Sequence, residues 1–348
     1  MRLNADGFYE PYITEPDRCT DCGMCLRVCS YANQGISTPA DSSQPDAYAA
    51  WSNLEQERSA ASSGGIAAAI VRHAMDDTPG KCRALGVRYN PDEARAEHFV
   101  ATDATEALEM RGSKYIQSYT SDGIRAIDFR DKSLRWVASG TPCQIDSLRR
   151  LIKARRAEDR FLLVDFFCHG VPSRLIWLKY LAEKGLDRGL RMSWRSKAEG
   201  WQSPFAVTAT DPSDGRVVSR STQADGNIFF KLFSSNNCLN RCCYAACKFK
   251  GLSTAADIRV GDFWSDRYAG ESKGVSVAIA MSDKGKHAFD SLSSDCTLRP
   301  VSPQDAVEGQ MKQPLVMRAW ARSLSLSMLR LGLPLGMVNM VSRIARHI

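Results

Sequence analysis

The sequence predicts a mixed α/β (α+β) protein in which a small cysteine-bound module precedes a larger α/β body with an antiparallel excursion. Three observations predict it. Four cysteines crowd into residues 18–30, RCTDCGMCLRVCS. Between residues 47 and 173 the pattern strand, polar turn, helix recurs, which is the signature of a layered α/β domain. Residues 191–220 then break that pattern with short strands turning at Asp211-Pro212 and Asp214-Gly215.

The N-terminal motif places Cys19, Cys22, Cys25 and Cys29 at the C-x2-C-x2-C-x3-C spacing of a bacterial iron–sulfur site. The short gaps let one loop wrap a cuboidal cluster with three thiolates. Cys29, a helical turn further on, either closes the same cluster or reaches a second one. Gly23 lies between two ligands, where a left-handed backbone is often required. Structural zinc sites usually come as two C-x2-C pairs split by a longer loop. The run of three at one short interval therefore reads as a ferredoxin-like [4Fe-4S] module. Ser30 stands where a proline usually follows the fourth cysteine, and only one such motif is present.

Residues 34–46, rich in Ser, Pro and Asp, read as a linker, so the module occupies residues 1–45. The body follows in two parts, 46–138 and 139–300. A strand is expected near Ala47–Trp51, then Ser62-Ser63-Gly64-Gly65 leading into an apolar helix from Ile66 to Met75. Small residues before a helix leave free N–H groups that suit a phosphate, although a plain serine cap is the simpler reading. Arg83–Tyr89 and Glu97–Ala101 read as strands, and Asp103 caps a helix reaching Met110. Arg111-Gly112-Ser113-Lys114-Tyr115 is a second polar turn. Trp136–Ser139 runs into Gly140-Thr141-Pro142-Cys143-Gln144 and a helix from Ile145 to Ala154. Phe161–Phe167 ends in Cys168-His169-Gly170 and another helix. Cys143 and Cys168 thus both follow strands, at the carboxyl ends where α/β sheets gather ligands. A second cysteine group, Cys238, Cys242, Cys243 and Cys247, precedes the strand Asp257–Asp262. Lys273–Met281 reads as a further strand and Asp283–Leu292 as a helix.

Twelve cysteines are many for 348 residues of ordinary composition. The N-terminus has no continuous apolar core of the signal-peptide kind and no apolar run reaches spanning length, so the reading is a cytoplasmic protein whose cysteines ligate metal. The net charge of +7 is uneven: no acidic residue follows Glu308, while Lys312, Arg318, Arg322, Arg330, Arg343 and Arg346 do. Residues 301–348 therefore form a basic amphipathic tail, broken at Gly332-Leu333-Pro334. It docks on its own domain, meets a partner protein or lies on a membrane surface. No nucleic-acid-binding motif accompanies the charge.

Taken together, SSGGI at 62–66, RGSKYIQS at 111–118, SGTPCQI at 139–145, FCHGVPS at 167–173, CCYAACKFKG at 242–251 and ADIRVGDFW at 256–264 resemble the coenzyme F420 hydrogenase/dehydrogenase beta-subunit family. The resemblance runs from about residue 18 to 292, with the motifs in the family's order; the tail lies outside it. It implies FAD and one or two [4Fe-4S] clusters. It turns the polar turns into candidate cofactor contacts: Ser63, Gly64 and Gly65 at pyrophosphate, Gly112, Ser113, Lys114 and Tyr115 near phosphate or flavin, and Gly140, Thr141 and Pro142 close to the ring. It makes Cys143, Cys168, Cys243 and Cys247 ligands of the second cluster, with Cys242 and Cys238 as alternatives. Three residues separate Cys243 from Cys247, where relatives usually have two. Cys82 and Cys296 read as plain thiols. His169 is the candidate proton donor, with a structural hydrogen bond as the simpler role, and Asp262 and Trp264 are candidates to line a substrate face. The activity implied is electron relay between a ferredoxin-like one-electron donor or a deazaflavin and a small organic substrate. The alternative is an electron-transfer subunit that feeds a partner.

Overall fold

The computed structural model describes residues 1–201 and 205–347; Gln202, Ser203 and Pro204 of the excursion, and Ile348 of the tail, lie outside them. In chain order the strands that matter are β1 (Ser42–Ser52), β2 (Cys82–Asn90), β3 (Arg95–Ala101), β4 (Ser118–Tyr119), β5 (Arg135–Ser139), β6 (Phe161–Phe166), β7 (Arg191–Arg195), β8 (Phe205–Thr210), β9 (Val217–Thr222), β10 (Ile258–Asp262), β11 (Ser276–Ser282) and β12 (Cys296–Val301). The helices used below are α1 (Met24–Val28), α2 (Ile66–Asp77), α3 (Pro142–Ala154), α4 (Arg174–Glu183), α5 (Ile228–Ser234), α6 (Asp283–Ser291), α7 (Ala319–Arg330) and α8 (Leu335–His347).

One nine-stranded sheet, in the order β12-β1-β11-β10-β6-β5-β2-β3-β4, forms the body. Its centre, β10-β6-β5-β2, is parallel, and antiparallel strands extend both sides. Such a sheet needs apolar cover on both faces. On one face α2 and α6 bring Ile66, Ile70, Met75 and Phe289 against Val164, Ile258 and Val260. On the other, α3 lays Ile145, Leu148 and Ile152 over Trp136, Phe161 and Leu163. The expected excursion is a separate three-stranded antiparallel sheet, β9-β8-β7, whose core is shared with α4 and α5.

Several boundaries move for identifiable reasons. The strand expected at Ala47 starts at Ser42, inside the expected linker, although that stretch contains Pro45. Pro45 is tolerated because β12 pairs with β1 only from Ala47 onward, and the β11 register shifts between Ala280 and Ser282. Helix α3 begins at Pro142 instead of Ile145, because Thr141 and Gln144 form a reciprocal capping box with proline in the first turn. The Asp103 cap is present: its carboxylate accepts from Thr105 N and Glu106 N at 2.8 and 2.9 Å.

Buried charge fixes the register under the site. Asp165 of β6 and Arg259 of β10 are fully buried and paired at 2.7 and 2.8 Å. Asp257 accepts from Arg149 of α3 and from Leu163 N, both at 2.8 Å. Each charge is matched, as burial demands.

The tail docks on the chain itself. Helix α7 ends at Arg330, Gly332 turns with φ 71°, and α8 starts after Pro334, so the break falls where the sequence places it. Leu326, Leu329, Leu335 and Val338 enter the core of α4 and α5.

Candidate functional site

The N-terminal motif is a loop with one short helix. Cys19, Cys22 and Cys25 are exposed, and Cys29 caps the end of α1. Gly23 takes the left-handed conformation expected of it, φ 66°. The loop is anchored by its flanks. Asn33 Nδ2 donates to the carbonyls of Leu26, Arg27 and Cys29, at 3.0, 3.2 and 2.8 Å. Ser30 N donates to Ser147 Oγ of α3 at 3.0 Å. Lys248, from the second cysteine segment, donates to the carbonyls of Ser30, Asn33 and Gly35, at 2.8, 2.7 and 2.7 Å.

That anchoring sets the motif beside a second group. Cys143 lies in the first turn of α3, Cys168 just beyond β6, and Cys243 and Cys247 in the segment before β10. The four are electrostatic neighbours: burial pushes the Cys168 thiol pKa up, and the Cys243, Cys143 and Cys247 thiolates add to it. Burial likewise raises Cys243 to about 12. Gly170 makes the approach possible, since a Cβ there would meet Leu239 Cδ1 at 2.9 Å and Cys243 Cβ at 3.3 Å. Val171 N donates to Cys243 Sγ at 3.4 Å, and Thr141 Oγ1 lies 3.3 Å from Cys143 Sγ. Burial raises the Cys242 pKa, and the charges of Cys143 and Cys29 add to it, so it is an electrostatic neighbour of both groups. Cys238 does not join them: it is buried in the tail-side core beside Ser325 and Arg322. Cys82 and Cys296 are core thiols, 3% exposed. Among the described residues no three His, Cys, Asp or Glu side chains converge on a single metal ion.

Tyr31 was not singled out by sequence, and it links the two groups. It follows the fourth N-terminal cysteine, hydrogen-bonds Cys143, and has Cys243 and Cys247 as charged neighbours. Tyr31 keeps 37% of its surface exposed, and the partial burial of its ring and these thiolates raise its pKa above the usual phenol range. Its position two residues beyond Cys29 was the one available signal.

The polar turns meet at another edge. Arg195, also unforeseen, donates to Asp262 Oδ2 and Oδ1 at 3.0 and 2.9 Å, to Tyr115 Oη at 3.1 Å and to Ser62 O at 3.0 Å. One guanidinium thereby gathers three motifs scattered over two hundred residues of chain. Trp201 Nε1 donates to Asp262 at 3.1 Å, and Trp264 stacks on Trp201 at 5.2 Å between ring centres. Ser113 N and Oγ contact Ser62 Oγ at 2.9 and 3.2 Å. Helix α2 starts from Gly65 with no side-chain cap.

Individual residues hold more specific places than their motifs foretell. Gly64 N donates to Ser276 Oγ at 2.9 Å, and a Cβ at Gly64 would lie 2.3 Å from Ala50 O, so close packing on β1 requires this glycine. Ser63 Oγ donates to Val275 O at 2.8 Å. Gly112 is exposed with φ 78°. Lys114 Nζ donates to the carbonyls of Glu109, Met110 and Arg111, at 3.2, 2.9 and 2.8 Å; burial lowers its pKa to about 7, while the three acceptors favour the charged form. Lys197 holds the turn by donating to Arg58 O, Ser63 O and Lys273 O. Gly140, Thr141 and Pro142 form the lead into α3, with Gly140 and Pro142 buried, Thr141 partly so, and Gly140 close to His98.

His169 joins the two edges. Its Nε2 lies 2.6 Å from Asn236 Oδ1, and burial lowers its pKa. Its ring is 4.8 Å from Phe233, which in turn packs edge-on against Tyr115 at 5.3 Å. A run of rings therefore connects the polar turns to the residue beside Cys168.

Two family models match the chain, both of the coenzyme F420 hydrogenase/dehydrogenase beta subunit: the C-terminal one over residues 134–304 and the N-terminal one over residues 47–125. Among solved structures the fold is similar to a chain of the F420-reducing [NiFe] hydrogenase complex from Methanosarcina barkeri. The identity is 16%, the alignment covers 88% of this chain and 92% of that one, and the TM-score is 0.52. Comparison with the curated proteins gives no match. The matches fall on the sheet, the polar turns and the buried cysteines, in the order the motifs require: this chain belongs to the coenzyme F420 hydrogenase/dehydrogenase beta-subunit family, a family of oxidoreductases.

Proposed function

We propose that this chain is an FAD-dependent iron–sulfur oxidoreductase. It would relay electrons between a ferredoxin-like one-electron donor, or a deazaflavin, and a small organic substrate. The observation that carries the reading is continuity: from Cys29 at the end of the N-terminal motif, Tyr31, the buried cysteines, His169, Phe233 and Tyr115 follow one another. When bound, iron–sulfur clusters exchange single electrons and a flavin exchanges one or two, so together they couple a one-electron donor to a two-electron acceptor.

The residues fit such groups. In the buried set, mutually repelling thiols are packed where burial penalises their charge, and a cationic iron core offsets both effects. Val171 N and Thr141 Oγ1 supply contacts to sulfur of the kind that tunes a cluster's potential. Cys143, Cys168, Cys243 and Cys247 are assigned to this second cluster, and Cys19, Cys22, Cys25 and Cys29 to the N-terminal [4Fe-4S] module. At the polar edge, α2 presents an uncapped N-terminus, and the buried Nε atoms of Arg111 and Arg195 lack partners among the described residues. Together these favour a pyrophosphate. Ser62, Ser113 and the first turn of α2 would hold the phosphates. Tyr115 would carry the ring side, and Arg195 would fix their spacing. Lys114 and Lys197 brace the turns through carbonyls. His169, held by Asn236 and kept neutral by its burial, orients the loop that carries Cys168.

A second reading, an electron-transfer subunit that feeds a partner, draws on the family's being one of beta subunits. One experiment addresses both. Protein purified without oxygen is assayed for flavin, iron and acid-labile sulfide per chain, then for reduction of an organic acceptor by the isolated chain with a chemical one-electron donor. Flavin with about eight irons supports two clusters and about four supports one. Acceptor reduction without a partner selects the enzyme over the subunit. Zinc with neither flavin nor sulfide overturns both.

A further inference from the structure

The exposed side of the C-terminal helix pair is unusually apolar. Trp320, Leu324 and Leu331 stand on α7 or at its end, with exposures of 45, 47 and 77%. Met337, Met340 and Ile344 stand on α8, with exposures of 46, 58 and 53%. Each set is spaced at helical repeats, so each forms a stripe. The helices touch through Ala321, Val341, Ala345 and Met328. On both helical wheels the exposed stripe lies next to these seam positions, so the two stripes meet over the seam in one patch. The opposite faces, bearing Leu326, Leu329, Leu335 and Val338, are spent on the core.

Charge selects the occupant. No acidic residue follows Glu308. Arg343, three residues after Met340 on α8, and Arg318, at the start of α7, are exposed and form no ion pair among the described residues. A second copy seated on the patch about a two-fold axis would set positive charge against positive charge, and the two helices that carry the patch hold no acidic side chain to meet it. A bilayer surface with anionic headgroups accepts both features, because the apolar side chains and Trp320 enter the acyl boundary while the guanidinium groups meet lipid phosphates. Among the described residues no helix is long and apolar enough to cross a membrane.

We propose that α7 and α8 form a monotopic platform that seats this protein on an anionic membrane surface. The inference is independent of the electron-relay reading.

The test is flotation of the full-length protein with vesicles of phosphatidylglycerol and phosphatidylcholine, compared with phosphatidylcholine alone. The protein is expected to float with the anionic vesicles only, and to be released by high salt. Arg343→Ala should lower the partition coefficient about fivefold, the weight of one basic residue at such a surface. Met340→Asp, at an exposed position where thermal denaturation should show the fold intact, should abolish flotation. The proposal is overturned if the protein floats with neither vesicle, or equally with both, or if Met340→Asp floats as well as the parent. It is also overturned if light scattering shows a dimer that Met340→Asp disperses, which would give the face to a second copy.

Discussion

The two cysteine groups sit beside one another and are built in opposite ways. Cys19, Cys22, Cys25 and Cys29 come from one short, exposed loop, and their arrangement follows from spacing and from the left-handed turn at Gly23. Cys143, Cys168, Cys243 and Cys247 come from three segments, brought together only because β5, β6 and β10 lie parallel and adjacent. The first group needs its loop, and the second needs the whole sheet. Damage should therefore stay local in one and spread in the other.

The sharpest way to break that comparison is to remove one thiol from each. On the two-cluster reading, Cys25→Ser and Cys168→Ser should each reduce iron from about eight to about four per chain. Their stabilities should differ. Cys168→Ser removes a tie between distant segments and leaves buried thiols unmatched, so its Tm should fall by several degrees. Cys25→Ser, at an exposed position, should leave Tm within about 1–2 °C. Iron analysis with calorimetry decides it, and equal losses of Tm would end the comparison.

The scaffold beneath the buried group should respond next. Arg259→Met leaves Asp165 charged and unpaired in a fully buried position, which costs about 3–5 kcal/mol. Urea unfolding monitored by tryptophan fluorescence should show the midpoint falling with the slope unchanged. A loss under about 1 kcal/mol would mean that the pair does not hold β6 against β10.

These two groups also mark how far the sequence could be read. The proposed N-terminal site could be named residue by residue from spacing alone, because its four cysteines are neighbours in the chain. The sheet was legible as a repeating pattern, and Cys143 and Cys168 could be placed at strand ends. Arg195, Lys197 and Tyr31 were not, because each acts through partners far away in sequence, and an arginine in a short strand carries no local mark of the contacts it will make. Asp257 and Arg259 belong to a motif that reads as functional, yet both are consumed by buried pairing with Arg149 and Asp165. Gly64 reads as a phosphate glycine, yet the close approach of β1 alone excludes a side chain there. The tail's inner face was legible from its amphipathic pattern, but which half would be covered depended on α4 and α5.

Acid offers a graded probe of the buried side. His98 of β3 is 4% exposed, lies near Gly140 ahead of Cys143, and its Nδ1 has no partner among the described residues. Burial lowers its pKa from 6.5 to about 4. Between those values the unfolded chain binds a proton that the folded chain refuses, so stability falls as pH drops through that window and is level, for this group, above it. By pH 4 the loss should approach about 3 kcal/mol. His98→Gln should remove this component of the pH dependence, as measured by urea unfolding between pH 4 and 7. An unchanged slope would assign the acid sensitivity to other groups.

The smallest expected effect isolates the joint between the two groups. Lys248 alone supplies three hydrogen bonds from the second cysteine segment to the carbonyls behind the first, at Ser30, Asn33 and Gly35. Lys248→Met keeps the length of the side chain and removes the ammonium. The position is only half-buried, so the freed carbonyls can find water, and the cost should be about 1–2 kcal/mol. That cost should fall on local opening of residues 19–36, leaving the global transition in place. Amide exchange in that stretch should accelerate roughly tenfold, and trypsin should cut sooner at Arg18 and Arg27, while Tm stays within about 1–2 °C. If Tm drops while exchange in the loop is unaltered, the loop is part of the body's cooperative unit and the two cysteine groups stand or fall together.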